Sequence, residues 1–290
     1  LSLLLCGVCY TGFQNSSHFH NTGNRRSLLL LVFGGALLLR LLLAYTTHGF
    51  SNDIACFAAW ADRIFTLGPG QFYSAEMFTD YPPGFMYVLY LIGALRSLLQ
   101  IPYYSDLHIL LLKLPAILCD IACGFLLYRE AVKRLHFSDL QGIFAASAYL
   151  FQPAVILNSS CWGQVDSVYT LMIILMCLFL MKGNLLPAYA VYGLGVLLKP
   201  QMLIFTPVLL AGIWDHVFLQ DFSWRKFFYN LCGGLVVICG MLLLCAPFGL
   251  TAAISQYTST LGSYEYAAIN AYNFWGLLGM NWVDQNTIFL

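Results

Sequence analysis

The stretch SLLLLVFGGALLLRLLLAYT, residues 27–46, decides the fold class. Its twenty mostly apolar residues match the length that an α-helix needs to cross the hydrocarbon core of a bilayer. The runs are rich in leucine and do not alternate with polar residues, which argues against a transmembrane β-barrel. We therefore predict an all-α fold, a polytopic transmembrane helical bundle. Further predicted spans lie at 84–100, 107–128, 139–157, 163–181, 185–198, 201–219 and 228–246.

The composition supports the same fold class. Sixty per cent of the residues are apolar and nine per cent are charged, whereas a soluble domain carries roughly 25% charged residues. The net charge is zero, so no basic face suggests a nucleic-acid partner. We predict a single transmembrane domain over 1–290. The chain begins with Leu1 and ends in an apolar run at Leu290, and we expect the protein to continue beyond both ends.

The basic residues predict the orientation. Two stretches, 47–83 and 247–290, are too polar to span a membrane and are predicted to be the first and last outer loops. Taking the basic clusters as cytoplasmic places 158–166 and 199–201 on the outer face as well. The basic clusters contain Arg25, Arg26, Arg129, Lys133, Arg134, Lys182, Arg225 and Lys226.

One inconsistency remains in this topology. Two apolar segments lie between the outer Asp80 and the inner Lys133, where an odd number of crossings is required. Either the segment 84–100 is re-entrant, or a boundary is misplaced, or the rule on basic residues fails at 129–134.

The first outer loop carries an acid at its start. Asp53 is followed by Phe57, Trp60 and Ile64 at helical spacing, which predicts an amphipathic helix lying at the interface with its aromatic side chains at headgroup depth. Asp53 would then lie where a lipid-borne substrate meets a water-borne one. The alternative is a solvated loop acid beside an anchoring helix.

The same loop ends in Asp80-Tyr81-Pro82-Pro83-Gly84. The two prolines restrict the backbone at the point of re-entry and hold Asp80 and Tyr81 at the entrance. An ordinary helix start explains this pattern equally well, because acids and proline favour the first turn.

Two charged residues lie within one apolar run. Lys113 and Asp120 are seven residues apart, which places them on one helical face about 10 Å apart along the axis. They are too distant to pair directly, so we expect a separate partner for each. Charges at this depth are costly and usually serve a function.

The segment 158–167 reads NSSCWGQVDS and forms a polar cluster between apolar runs. Trp162 offers a face for a sugar ring, while Gln164 and Asp166 can bind hydroxyl groups. The alternative is an interfacial tryptophan next to a helix N-cap.

Two further polar motifs follow. Lys199-Pro200-Gln201 places a cation and an amide inside an apolar stretch, and lysine is a suitable partner for a phosphate. The alternative is a snorkelling lysine at the end of a span. The last outer loop is rich in amide and aromatic side chains, including Asn270 and Asn273.

Sugar transfer from a polyprenyl phosphate would use all these groups. It requires a carboxylate to accept a proton, a cation for the leaving phosphate, and a sugar pocket lined by aromatic and amide groups.

At these residues the sequence resembles the multi-span GT-C glycosyltransferases, specifically bacterial mannosyltransferase-like proteins related to the second GPI mannosyltransferase. A weaker similarity, through Asp-Tyr-Pro-Pro, relates it to the glucosyltransferases that extend the lipid-linked oligosaccharide. The matching motifs follow the family's order from about residue 27 to 282: Asp53-Ile54-x-Cys56-Phe57-x-x-Trp60, Phe72-Tyr73, Asp80-Tyr81-Pro82-Pro83-Gly84, Lys113-Leu114-Pro115 with Asp120, Trp162 to Ser167, Lys199-Pro200-Gln201 and Asn270 to Trp275.

The resemblance implies a GT-C fold and transfer of a hexose, mannose in the first place, with inversion. The donor would be a polyprenyl-phosphate sugar and the acceptor a glycan, lipid or protein on the outer face. It implies a bacterial plasma membrane, or the ER membrane in a eukaryote. Asp53 becomes the candidate general base, with Asp80 as a second catalytic acid. On charge alone we assign Lys113 and Lys199 to the donor phosphate.

Two questions stay open at this point. A divalent ion shared by Asp53 and Asp80 is possible, although no ligand spacing requires one. The alternative function is a transporter or flippase of a lipid-linked or small polar substrate, suggested by the intramembrane Lys113 and Asp120.

Overall fold

The computed structural model of the protein describes residues 22–73, 78–220, 222–262, 265–269 and 274–288. Within these ranges the chain forms helices and no β-strand, which confirms the predicted all-α class. The helices are α1 Thr22–Thr46, α2 Ser51–Leu67, α3 Pro83–Leu98, α4 Asp106–Lys133, α5 Asp139–Leu150, α6 Pro153–Ile156, α7 Asp166–Met181, α8 Leu185–Leu198, α9 Thr206–Trp214, α10 Trp224–Cys245, α11 Leu250–Gly262, α12 Phe274–Leu277 and α13 Gln285–Ile288. Short 3₁₀ or π segments extend some of these helices. The 3₁₀ segment Pro200–Phe205 precedes α9, and the 3₁₀ segment Ala246–Phe248 follows α10. The π segments Leu157–Trp162 and Asp215–Leu219 follow α6 and α9.

Long apolar helices indicate a membrane protein. Among the residues that the structure describes, four segments are long and apolar enough to cross a bilayer: Arg25–Thr46, Asp106–Lys133, Pro200–Leu219 and Trp224–Phe248. Their surfaces stay apolar where they face outwards, as on α10, where Val236 is 66% exposed and Leu243 is 74% exposed. Apolar patches of this extent are rare on soluble proteins and suit contact with lipid.

The other predicted spans differ from the structure in length or shape. The run predicted at 139–157 is a bent pair, Asp139–Leu150 and Pro153–Trp162, with 52° between its halves. Pro153 explains the bend, because its ring disfavours helical backbone at the preceding residue. The runs at 163–181 and 185–198 are the shorter helices α7 and α8.

Ion pairs between helix ends define two ends of the bundle. At one end Arg25 lies 3.3 Å from Asp139, and Lys182 lies 3.8 Å from Glu130. At the other end His48 Nδ1 lies 3.6 Å from Asp106 Oδ1. We call the first the basic end and the second the cavity end. The basic end carries Arg25, Arg129, Lys133, Arg134, Lys182, Arg225 and Lys226.

Helices α2 and α3 lie together at the cavity end. The Phe50 amide donates to Trp162 O at 2.8 Å, just before α2 starts, and the Tyr87 hydroxyl of α3 donates to Leu244 O at 2.7 Å, near the end of α10. The Arg96 guanidinium of α3 also pairs with Asp62 of α2. The chain then enters α4 at the same end. This arrangement matches the alternative in which 84–100 is re-entrant, and the number of crossings before Lys133 is then odd, as required.

The apolar face of α2 packs on protein. Phe57, Trp60 and Ile64 are at most 2% exposed, and the Phe57 ring lies 5.6 Å from that of Phe85 on α3. These aromatic side chains therefore contact protein, whereas the sequence analysis predicted that they anchor the helix in the membrane interface. Helix α3 supplies an apolar surface beside α2, and close packing against it removes these side chains from both water and lipid.

Candidate active site

A cavity of about 510 Å³ opens at the cavity end of the bundle. Its volume falls within the range of small-molecule sites, about 300–1,000 Å³. Its lining comes from α2, the segment before α3, the turn before α7, the turn after α8, and Thr260 of α11. Six predicted site residues line it: Asp53, Asp80, Tyr81, Gln164, Lys199 and Gln201.

Two donors from a distant part of the chain orient the Asp53 carboxylate. Trp162 Nε1 donates to Asp53 Oδ2 at 2.9 Å, and Gln164 Nε2 donates to the same oxygen at 2.5 Å. Asp53 also lies in the first turn of α2, where the helix dipole favours a negative charge. Within the described ranges no donor binds Oδ1, so that oxygen is available to accept a proton.

Gly163 allows the two donors to flank Asp53. It adopts φ +90°, in the left-handed region, where the helical turn ends. A Cβ atom there would lie 2.6 Å from Ile54 Cδ1, so a larger residue would force the Ile54 side chain of α2 to shift. Glycine is the residue that tolerates both requirements, and it lets the chain reverse so that Trp162 and Gln164 lie on either side of the turn.

Lys199 enters the cavity through the backbone break after α8. Its ammonium group forms an ion pair with Asp166, whose second oxygen accepts a hydrogen bond from Asn158 Nδ2 at 3.0 Å. The same nitrogen lies 5.7 Å and 5.6 Å from the ring centroids of Tyr81 and Tyr169, within the range of cation–π attraction. The cation is thus held between one carboxylate and two aromatic faces.

Gly84 sets the distance between Tyr81 and Lys199. A Cβ on Gly84 would lie 2.6 Å from Leu197 O and 2.7 Å from Leu197 C. These are backbone atoms of α8, two residues before the lysine, so they cannot move as a flexible side chain would. The start of α3 therefore contacts the end of α8 directly, and this contact brings the Asp80–Tyr81 segment to the cavity.

Hydrogen bonds fix the loop that carries Asp80. Trp60 Nε1 donates to Phe78 O at 3.0 Å, and the Tyr73 hydroxyl donates to Tyr81 O at 3.0 Å. Burial raises the pKa of Tyr73 well above its ordinary value, which keeps the hydroxyl protonated as a donor. Burial, and then the charges of Asp80 and Asp53, also raise the pKa of the Cys56 thiol in the same cavity.

Lys113 does not reach this cavity. Its side chain is fully buried, and its ammonium nitrogen donates to Thr47 O at 2.7 Å and to Ser160 O at 2.9 Å. Thr47 Oγ1 at 3.1 Å and Ala44 O at 3.3 Å complete its surroundings. The prediction that Lys113 contacts the donor phosphate therefore has no basis in the structure. Lys113 instead ties α4 to the end of α1 and to the turn before Gly163.

Asp120 is the centre of a second buried network. It accepts from Arg40 Nε at 3.2 Å, Ser159 Oγ at 2.6 Å, Ser167 Oγ at 2.5 Å and Tyr149 OH at 3.2 Å. The prediction that Lys113 and Asp120 have separate partners is confirmed. Arg40 is a residue that the sequence analysis missed, although a charge in the middle of the first apolar run was a sufficient signal.

Among the described residues, the predicted site residues Trp162 and Asp166 are not part of the cavity lining. Trp162 is 49% exposed and takes part through its hydrogen bond to Asp53. Asn270 and Asn273 lie outside the described residues. The apolar wall was missed, because Phe57 and Trp60 were interpreted as facing lipid. The wall is formed by Phe57, Trp60, Phe78, Leu203 and Ile204.

The cavity combines two carboxylates, a cation and aromatic faces, the groups that suit transfer of a polar group to or from a phosphate. In the part of the chain that the structure describes, no three His, Cys, Asp or Glu side chains lie close enough together to hold a metal ion. Comparison of the chain with known protein families and with curated proteins finds no match to either.

Proposed function

We propose that this protein is an integral membrane glycosyltransferase of the GT-C type. It transfers a hexose, mannose in the first place, from a polyprenyl-phosphate sugar to an acceptor hydroxyl at the cavity end. The observation that carries the proposal is that Asp53, oriented by Trp162 and Gln164, lines the same cavity as Lys199. A base and a phosphate partner thus share one cavity beside long apolar helices.

The reaction assigns each group a role. The acceptor oxygen attacks the anomeric carbon while its proton passes to Asp53 Oδ1. The bond between the anomeric carbon and the phosphate oxygen breaks, and the polyprenyl phosphate leaves with the bonding electrons. Lys199 balances the charge that develops on that phosphate. Attack opposite to the leaving group inverts the configuration.

The sugar would lie between the two charged groups. Tyr81 offers a ring and Gln201 an amide at the cavity wall, and both suit the faces and hydroxyl groups of a hexose. The motifs that carry the resemblance to GT-C enzymes are far apart in the sequence, yet residues from four of them line this one cavity. This convergence supports the proposal.

The transport alternative rested on the charges of Lys113 and Asp120. Both side chains are fully buried and bonded to fixed protein groups. A transport pathway would usually expose such charges to a water-filled cavity. Their roles in holding helices together weaken that alternative.

The test is sugar transfer by the full-length protein in liposomes. Donors are polyprenyl-phosphate mannose and polyprenyl-phosphate glucose, and acceptors come from a membrane extract. A glycosylated product supports the proposal and identifies the sugar. Movement of either donor across the bilayer without any product would favour transport instead. Parallel reactions with Mg²⁺, Mn²⁺ or a chelator decide whether transfer requires a divalent ion.

A further inference from the structure

A second cavity, of about 400 Å³, lies between α8, α9 and α10. Its lining is apolar except for two tyrosine hydroxyls and Asn230. The α10 side is open to the surroundings, since Leu231 is 49% exposed and Leu235 is 53% exposed. An apolar cavity that opens sideways from a long apolar helix suits a hydrocarbon chain. Its lining includes Tyr189, Gly193, Leu209, Phe227, Gly234 and Met241.

A polar cavity of about 580 Å³ adjoins it at the basic end. Asn230 lines both cavities, and the Tyr189 hydroxyl donates to Asn230 Oδ1 at 3.3 Å. The polar cavity carries His216, Arg225 and Lys226, and no Asp or Glu is among its described lining residues. Together the two cavities form one composite site, which has an apolar part and a part lined by basic side chains.

Arg225 is the basic side chain of the polar cavity on which the inference depends. No hydrogen bond or ion pair to Arg225 occurs within the described ranges. Lys226 Nζ donates to Gln220 O at 3.1 Å, and the nearby Asp215 carboxylate accepts from Gln220 Nε2 at 2.6 Å. Basic groups near the end of a bilayer-spanning helix attract anionic headgroups, and basic pockets between helices bind lipid phosphates.

This composite site is separate from the candidate active site. Helix α8 extends from one site to the other. Its first residue, Leu185, lines the polar cavity, and Lys199 of the candidate active site directly follows its last residue. Its 14 residues correspond to about 21 Å at 1.5 Å per residue. A phosphate group at Arg225 is therefore not the donor phosphate held at Lys199.

We propose that the two cavities together bind one anionic phospholipid, with an acyl chain in the apolar cavity and the phosphate at Arg225. Charge complementarity selects an anionic headgroup, and the apolar cavity selects a lipid over a free phosphate. The inference does not depend on the proposed transfer activity.

The chain offers matched variants for each half of the site. Gly234 lines the apolar cavity and a Cβ there meets no atom within 4 Å, so the backbone accepts a side chain and Gly234→Leu adds apolar volume at the cavity wall. Gly240 lies on the same helix, also has open space and does not line the cavity, so Gly240→Leu is its control. Arg225→Gln removes the cation, and Lys133→Gln removes an equal charge elsewhere at the basic end.

The experiment is native mass spectrometry of the full-length, delipidated protein titrated with phosphatidylglycerol, phosphatidylcholine or glycerol 3-phosphate. We expect one tightly retained phosphatidylglycerol. Arg225→Gln should weaken its binding about fivefold, as expected for about 1 kcal/mol per basic side chain. Gly234→Leu should weaken it as well, whereas both controls should leave it unchanged.

Three results would overturn the proposal. Equal retention of phosphatidylcholine would remove the role of charge. An equal effect of Lys133→Gln would reduce the binding to general surface attraction. Displacement of phosphatidylglycerol by glycerol 3-phosphate would identify a phosphate site without a lipid requirement.

Discussion

Gln164 Nε2 donates a hydrogen bond to Asp53 Oδ2 at 2.5 Å, across 111 residues of sequence. The bond joins the first turn of α2 to the turn before α7. Hydrogen bonds to a charged acceptor are roughly twice as strong as neutral ones, and here Trp162 adds a second donor on the same oxygen. The carboxylate is therefore held in one orientation, which is what a positioned proton acceptor requires.

Asp53→Asn should abolish sugar transfer while the protein stays folded. The amide oxygen of asparagine can accept the same two hydrogen bonds, but the amide cannot take a proton. We expect transfer to fall about 10²–10⁴-fold, the usual contribution of a general base. Asp106→Asn is the control, since it removes a carboxylate that lies outside the cavity lining. Full activity of the Asp53→Asn variant would exclude Asp53 as the base.

Lys199→Gln and Asp166→Asn should shift donor binding in opposite directions. Asp166 neutralises the Lys199 ammonium group, so Asp166→Asn leaves the lysine free for a phosphate and should lower the KM for the donor. Lys199→Gln should raise it roughly 10–100-fold, in keeping with the 1.5–3 kcal/mol of a hydrogen bond to a charged group. Steady-state kinetics with varied donor measure both. A higher KM in both variants would make Asp166 a positioning residue for Lys199 instead of its competitor.

Arg40→Met should destabilise the fold strongly. It leaves Asp120 buried without its cation, and losing one partner of a buried pair costs about 3–5 kcal/mol. Arg25→Met is the matched control, because the Arg25–Asp139 pair is 46% and 39% exposed and exposed pairs contribute about 0–1 kcal/mol. Thermal unfolding in detergent gives the melting temperatures of the two variants for comparison. Methionine suits an apolar helix better than arginine does, so equal melting temperatures would show that Asp120 needs no cation.

Gly84→Ala should lower both stability and transfer. The added methyl would press on the Leu197 backbone, and overpacking of this kind costs about 1–3 kcal/mol. It would also shift α3 from the end of α8 and so separate Tyr81 from Lys199. Gly35→Ala meets no atom within 4 Å and should stabilise α1 by about 0.5–1 kcal/mol. Melting temperatures and transfer rates are measured for both variants. If Gly84→Ala changed neither quantity, the close contact between the start of α3 and the end of α8 would be contradicted.

Cys56 should report on the charges in the cavity. Burial, Asp80 and Asp53 raise its pKa, so at neutral pH it should be alkylated more slowly than a free cysteine, because the thiolate is the reactive form. The alkylation rate of Cys56 should still rise with pH in the range where the rate of free cysteine no longer changes. Asp80→Asn should lower the pKa and speed the reaction at a given pH. Peptide mass spectrometry after timed iodoacetamide treatment measures this site alone, and a rate unaffected by Asp80→Asn would contradict the electrostatic account.

Several site residues could be predicted because their chemistry is unusual for their surroundings. A carboxylate after an apolar run, as at Asp53, or a lysine inside one, as at Lys199, is costly enough to need a purpose. The same reasoning applied to Lys113, yet the structure encloses that lysine among backbone oxygens. The cost of a charge indicates that a partner exists and does not say whether the partner is a ligand or the protein.

The sequence by itself determined the all-α class, the positions of the long apolar helices and the clustering of basic residues at one end. These features depend on the transfer free energy of each segment, which is a local property of its residues. Only the tertiary structure decided that α3 stays at the cavity end, that the aromatic face of α2 packs on protein, and that Lys199 is the lysine that enters the cavity. Each of these depends on which helices lie side by side, and contacts between residues of different helices leave no periodic signal in one sequence.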